Sequence, residues 1–103
     1  MLYATVTAAG SSQATATEIV AHYVEVNGGD DSVGVRLSGA SRFPRTVYVY
    51  NTHATGGVKV YPHVGGNING GTTDAAVTIE GKSLAIFVCM DGTIWAAQYT
   101  ANT

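Results

Sequence analysis

Three histidines, seven acids and one cysteine are the side chains of this chain best suited to holding a metal or moving a proton. Zinc needs ligands at short, fixed spacings, and His22, His53 and His63 form no HxH, HExxH or Cys/His cluster. His53 and His63 are expected to approach each other across a hairpin of residues 46–61, but two ligands do not make a site. Asp30 and Asp31, with Asn27 nearby, gather oxygens of the kind calcium prefers. The stretch NGGDDS lacks the ordered ligand spacing of a calcium loop, so it reads as a solvated turn. A carboxylate pair for hydrolysis would be drawn from Glu18, Glu25, Asp30, Asp31, Asp74, Glu80 and Asp91. Nearly all of these stand in or beside turn-like stretches, where acids are expected anyway. No GxSxG elbow accompanies the serines. Cys89 lies in the apolar run Leu84-Ala85-Ile86-Phe87-Val88-Cys89-Met90 with no basic neighbour, which reads as a buried hydrophobe and not a reactive thiol. A lone cysteine also excludes an internal disulfide. The sequence thus predicts no catalytic, cofactor-binding or metal-binding residue and no enzymatic activity.

Two further stretches invite a binding role. The loop GGNINGG, residues 65–71, has the glycine content of a phosphate cradle. Such a cradle needs a following helix N-terminus and usually a lysine. Here Thr72-Thr73-Asp74-Ala75-Ala76-Val77 leads into a strand, so the loop reads as a corner pinned to the core by Ile68. Tyr48, Tyr50 and Tyr61 are expected to share one face of a hairpin, where they would either stack on sugar rings or pack across the strands. Arg42 and Arg45, around Phe43-Pro44, are two of only five basic residues and read either as salt-bridge donors to an acidic partner or as part of an ordinary solvated loop.

The elements that position these residues follow from composition and periodicity. At 103 residues the chain is one domain. Charged residues are only 12%, against roughly 25% in ordinary soluble domains. A surface made of Thr, Ser, Asn and Gly suits a chain packed against other chains. The net charge of −2 leaves no basic face for nucleic acid, and no apolar run approaches a membrane span. Met1 to Thr5 lacks a positive n-region, so no signal peptide is expected. Gly and Asn punctuate the chain every eight to twelve residues, which predicts an all-β fold, a compact antiparallel β-sandwich or small barrel of jelly-roll type. Residues 1–17 read as an N-terminal arm or linker and residues 18–103 as the β-sandwich domain.

Within that domain Ile19–Val26 and Val33–Leu37 are expected to form a hairpin across Asn27-Gly28-Gly29-Asp30-Asp31. Thr46–Asn51 alternates most cleanly, and Val58–Tyr61 returns from it. Ala75–Ile79, Leu84–Met90 and Thr93–Gln98 follow, the last two joined at Asp91-Gly92 by a type I′ turn. The Leu84–Met90 strand is apolar on both faces, which predicts that one face packs inside the protomer and the other against a sister subunit. A homo-oligomer follows, with Leu84, Ile86, Val88 and Trp95 at its seam.

The order of motifs carries a resemblance. Gly10-Ser11-Ser12-Gln13-Ala14 opens it. Val33-Gly34-Val35-Arg36-Leu37, Val47-Tyr48-Val49-Tyr50-Asn51 and Val58-Lys59-Val60-Tyr61-Pro62 follow. Gly66-Asn67-Ile68-Asn69-Gly70 and a closing Gly81…Phe87-Val88-Cys89…Trp95 complete it. This succession, over most of residues 10–96, resembles a group of small virion structural proteins of tailed bacteriophages. One departure is that Leu37 is followed by Ser38 where that group has Leu-Pro. The resemblance implies a virion component without enzymatic activity, on head or tail. The expectation is a capsid decoration, or cement, protein. It is made in the host cytoplasm and carried on the capsid surface as a homotrimer. It binds the major capsid protein and needs no nucleic acid, membrane or cofactor. Leu2, Tyr3, Val6, Arg42 and Arg45 are the expected capsid contacts, with Leu2–Thr7 adding as a strand to a neighbour's sheet. The other reading is a tail-fibre or spike module whose Tyr48/Tyr50/Tyr61 face binds host surface carbohydrate.

Overall fold

Short runs of alternating β-branched and aromatic residues dominate the chain, and each becomes a strand with one face turned inward. In the computed structural model, which describes residues 3–39 and 45–101, ten strands result. They are β1 (Tyr3–Thr7), β2 (Thr17–Ile19), β3 (Tyr23–Asn27), β4 (Gly34–Leu37), β5 (Arg45–Asn51), β6 (Val58–Tyr61), β7 (Asn67–Ile68), β8 (Val77–Ile79), β9 (Ser83–Cys89) and β10 (Ile94–Gln98). No helix occurs among the described residues. A six-stranded sheet has the order β1-β3-β5-β9-β10-β7 and a four-stranded sheet the order β2-β4-β6-β8. The all-β, two-sheet expectation is met.

The connectivity differs from the antiparallel, jelly-roll expectation. β1, β3 and β5 run parallel in the larger sheet, while β2, β4 and β6 run parallel in the smaller one. From β1 to β6 the chain therefore crosses between sheets after every strand and winds three coils. The predicted hairpins at 19–37 and 46–61 are arches that bridge the sheets. Ile19–Val26 is not one strand either. It breaks at Val20–His22, sending Ile19 to one sheet and Tyr23 to the other. Antiparallel strand pairs enter as the coil closes, β5 with β9, β9 with β10 and β6 with β8, beside isolated antiparallel bridges of Ala9 with Gly34 and Ile79 with Ala101.

The arches stack because glycines let them touch. A Cβ on Gly56 would lie 2.3 Å from the Gly29 carbonyl oxygen, and one on Gly29 would meet Val58. Asp31 then bonds Gly57 both ways, through its backbone N–H (2.9 Å) and its Oδ1 (2.6 Å). Crossing between sheets turns Val24 and Val26 toward Val35 and Leu37. Val47, Val49, Val58, Val60, Phe87 and Trp95 complete a fully buried core. Asn51 is buried among them, its amide donating to the carbonyls of Gly56 (2.9 Å) and Ile79 (3.3 Å) and its Oδ1 accepting from the His53 N–H (3.0 Å). A buried amide is tolerated only when so satisfied.

The N-terminal stretch is not an arm. Tyr3–Thr7 is a strand in register with Tyr23–Asn27, and residues 8–16 carry the chain over to β2. The Asp91-Gly92 hairpin is present, but only Gly92 has a positive φ (86°), so its turn is wider than type I′. Asp91 Oδ1 fastens it by accepting the N–H groups of Thr93 (2.9 Å) and Ile94 (3.0 Å).

Candidate functional site

Strand parity decides what each sheet shows to solvent. In the larger sheet Val24, Val26, Val47, Val49, Ala85, Phe87, Cys89 and Trp95 point inward, so the residues between them point out. Register then aligns Tyr3, Tyr23, Tyr48, Ile86 and Gln98 in one row across five strands. Thr5, Glu25, Tyr50 and Leu84 form a second row, and Thr46, Val88 and Ala96 a third. The Tyr3 and Tyr23 rings lie 5.7 Å apart and those of Tyr23 and Tyr48 6.2 Å apart, a ladder of offset rings. Leu84 is 45% exposed and Tyr3 60%. Glu25 is the one charged side chain on this outer face among the described strand residues, and it accepts a bond from the Tyr3 hydroxyl (2.5 Å).

This surface holds some of the expected residues and not others. Leu84, Ile86 and Val88 lie on it. Trp95 does not, because register places it opposite Cys89, on the inward face. It is fully buried in its own protomer, so it is unavailable to a subunit seam. Its indole N–H donates to His63 Nδ1 (2.9 Å), giving the buried ring its polar partner. The Tyr48/Tyr50/Tyr61 platform is likewise divided. Tyr61 belongs to the other sheet, is buried, and donates its hydroxyl to the Ser11 carbonyl (3.2 Å). Tyr3 and Tyr23 take its place beside Tyr48. Of the expected capsid contacts, Tyr3 is exposed and Val6 half-buried against the core. Arg45 opens β5 opposite Cys89, with Nε and Nη2 buried and without hydrogen-bond partners among the described residues. Leu2 and Arg42 lie outside the described residues.

The smaller sheet is covered by its own chain. Residues 9–16 cross its outer face, where Ser11 meets Tyr61 and the Gln13 carbonyl accepts from Arg36 Nη1 (3.1 Å). The Gln13 amide donates to the Pro62 carbonyl (2.9 Å) and to Asp74 Oδ1 (3.0 Å). Asp74 Oδ1 also accepts the Gly65 N–H (2.7 Å), which ties the cover to the 62–74 corner. Beside this lock Glu18, Arg36, Leu37, Gly39, His63 and Val64 line a shallow depression of about 320 Å³. Arg36 is engaged there with Glu18 at 3.6 Å.

The chemistry-bearing side chains are occupied structurally. His53 and His63 fall at opposite ends of the sandwich, because β5 and β6 are joined by an arch and not paired as a hairpin. His53 Nδ1 accepts the N–H groups of Thr55 (3.1 Å) and Gly56 (2.7 Å). Asp30 Oδ1 accepts from Ser32 and Val33, and chiefly the Ser32 hydroxyl holds its carboxyl below the usual range. Asp74 is held low first by Gln13, and Asp91 first by the Ile94 N–H. Burial pushes the Cys89 thiol up. No group of three or more His, Cys, Asp or Glu among the described residues is placed to hold a metal.

The glycine-rich loop has a use that its sequence only half discloses. β7 pairs with β10, and Asn69, at φ 56°, donates its N–H to the Trp95 carbonyl (2.8 Å). Its side chain then replaces the next residue of a strand. Oδ1 accepts the Ala97 N–H (2.8 Å) and Nδ2 donates to the Ala97 carbonyl (3.2 Å). The corner seals the edge of β10. The Asn-Gly pair predicts the turn, but nothing in the sequence names Ala97 as the partner. Comparison of this chain with family models, with curated proteins and with solved structures finds no match.

Proposed function

We propose that this chain is a non-enzymatic virion protein of a tailed phage, a capsid decoration protein that binds the major capsid protein and stabilises the head. The observation that carries the reading is the outer face of the larger sheet, an almost uncharged surface of tyrosines and aliphatic residues left open beside a sheet that the chain covers itself. Such a face suits burial against sister chains and a host shell, where apolar area stabilises at about 25 cal/mol per Å². The motif order of residues 10–96 adds to it, as does the structural use of Asp30, Asp31, Asp74 and Asp91 in place of catalysis. In this reading Leu84, Ile86 and Val88 form the seam of a trimer seated over junctions between capsid subunits. Each added contact raises the force needed to separate those subunits when packaged DNA presses outward.

Heads stripped of the protein test this. Wild-type chain added back should rebind and raise the temperature at which heads release DNA, and Ile86→Lys should do neither. Heads that show no rebinding of folded wild-type chain would sink the proposal. The tyrosine ladder favours one second reading, a tail-fibre or spike module that binds surface carbohydrate by stacking. A glycan-array signal lost in Tyr48→Ala would favour it over the capsid role.

A further inference from the structure

Sheet edges present unpaired N–H and C=O groups, and proteins usually shield them with short strands, charge, proline or a covering segment. Three of the four edges here are shielded. β7 is two residues long and finished by the Asn69 side chain. β8 is backed by the C-terminal segment, with Ala101 bridging Ile79 and the Thr100 carbonyl accepting the Glu80 N–H (2.9 Å). β2 is three residues long and carries Glu18. The fourth edge, β1, has none of these among the described residues. Its sequence, YATVT, contains no charge, no proline and no glycine, and no described strand pairs with its outer side.

We propose that β1 pairs with β1 of a second copy of this chain, antiparallel about a two-fold axis at Thr5. Backbone direction selects the residues. The Ala8 N–H donates to the Asn27 carbonyl (2.9 Å), continuing the Thr7–Asn27 register, so the even-numbered residues bond to β3. Tyr3, Thr5 and Thr7 therefore turn their backbone groups outward. An axis at Thr5 sets Thr5 against its own copy and Tyr3 against the partner's Thr7, which uses all three. The Thr7 carbonyl already accepts from the Thr17 hydroxyl (2.7 Å) and keeps a second lone pair.

Side chains select the occupant. On the outer face the axis brings Thr5 beside Thr5 of the copy, a favourable cross-strand pair. On the inner face it brings Ala4 beside Val6 of the copy, so apolar meets apolar and the core face continues. A strand without charge has no sign to match in a different partner and no repulsion from itself. The contact uses an edge and not the open face, so it stands or falls apart from the capsid reading.

Cysteine scanning on the isolated full chain tests it, since the native Cys89 is buried. Thr5→Cys should yield a disulfide-linked dimer on mild oxidation, because facing residues in such a pair lie about 5.5 Å apart between Cα atoms. Thr7→Cys should not, because its copies would be about 13 Å apart at the usual strand rise. Thr5→Lys and Thr5→Glu should each sediment at half the mass of the wild type, and an equal mixture should restore it. The proposal is overturned if Thr5→Cys stays unlinked, if Thr7→Cys links as readily, or if mixing the charged variants restores nothing.

Discussion

The two sheets bury one face each and treat the other differently. The four-stranded sheet carries Glu18, Arg36 and Lys59 outward, and residues 9–16, locked through Gln13 to Pro62 and Asp74, cross it over Arg36 and Tyr61. The six-stranded sheet carries tyrosines and aliphatics outward, and no described segment is laid over them. If solvent alone shaped the surface, the charged face would be bare and the apolar one covered. The proposed function reads this reverse arrangement as an open face kept for contact with another surface.

Substitutions can break this contrast. The largest effect should come from Trp95→Ala, which removes a fully buried ring and orphans His63 Nδ1 from its indole donor. A loss of about 3–5 kcal/mol is expected in urea unfolding. On the outer side of the same hairpin, Ile86→Gln should change monomer stability by less than about 1 kcal/mol while abolishing self-association through that face. Equal losses from the two would mean that the face is not free. Asn51→Ala should follow at about 2–3 kcal/mol, since it removes a buried amide that bonds the Gly56 and Ile79 carbonyls and the His53 N–H. The cover comes next: Tyr61→Phe should cost about 1 kcal/mol and quicken hydrogen exchange in residues 9–16, with no effect on the open face.

The smallest effect is one of pH. Asp30, Asp74 and Asp91 are held below their ordinary range in the folded chain. Their contribution to stability is present above the unfolded carboxylate value of about 4 and is lost as pH falls through the folded values. Asp74→Asn should flatten the acid limb of a stability–pH curve and leave its neutral limb unchanged in slope. An unaltered acid limb would show that the lock between cover and corner rests on shape and not on the carboxylate.

Strands were legible where alternation was strong. Val47 and Val49 against Tyr48 and Tyr50 fixed both element and face, and the doubly apolar Leu84–Met90 run did mark a strand with one face in the core and one outside. Pairing was not legible, because a hairpin and an arch use the same turn residues. NGGDDS gives no local sign that Gly29 will press against Gly56 in a later coil. Trp95 was misplaced for a related reason: its face depends on the register with Cys89, which the turn length sets and the sequence does not. The candidate surface was half legible for the same cause. The aliphatic row of Leu84, Ile86 and Val88 lies on one strand, whereas the tyrosine ladder is assembled from three strands some twenty residues or more apart.

The Asn69 side chain, bonded to Ala97 as if it were one more length of backbone, acts as a chain terminator for the larger sheet. A β-protein with two adhesive margins polymerises into fibres, whereas one with a single adhesive margin stops after one joining event. An amide three atoms long thus leaves β1 as the edge of the larger sheet from which the proposed strand pairing can grow.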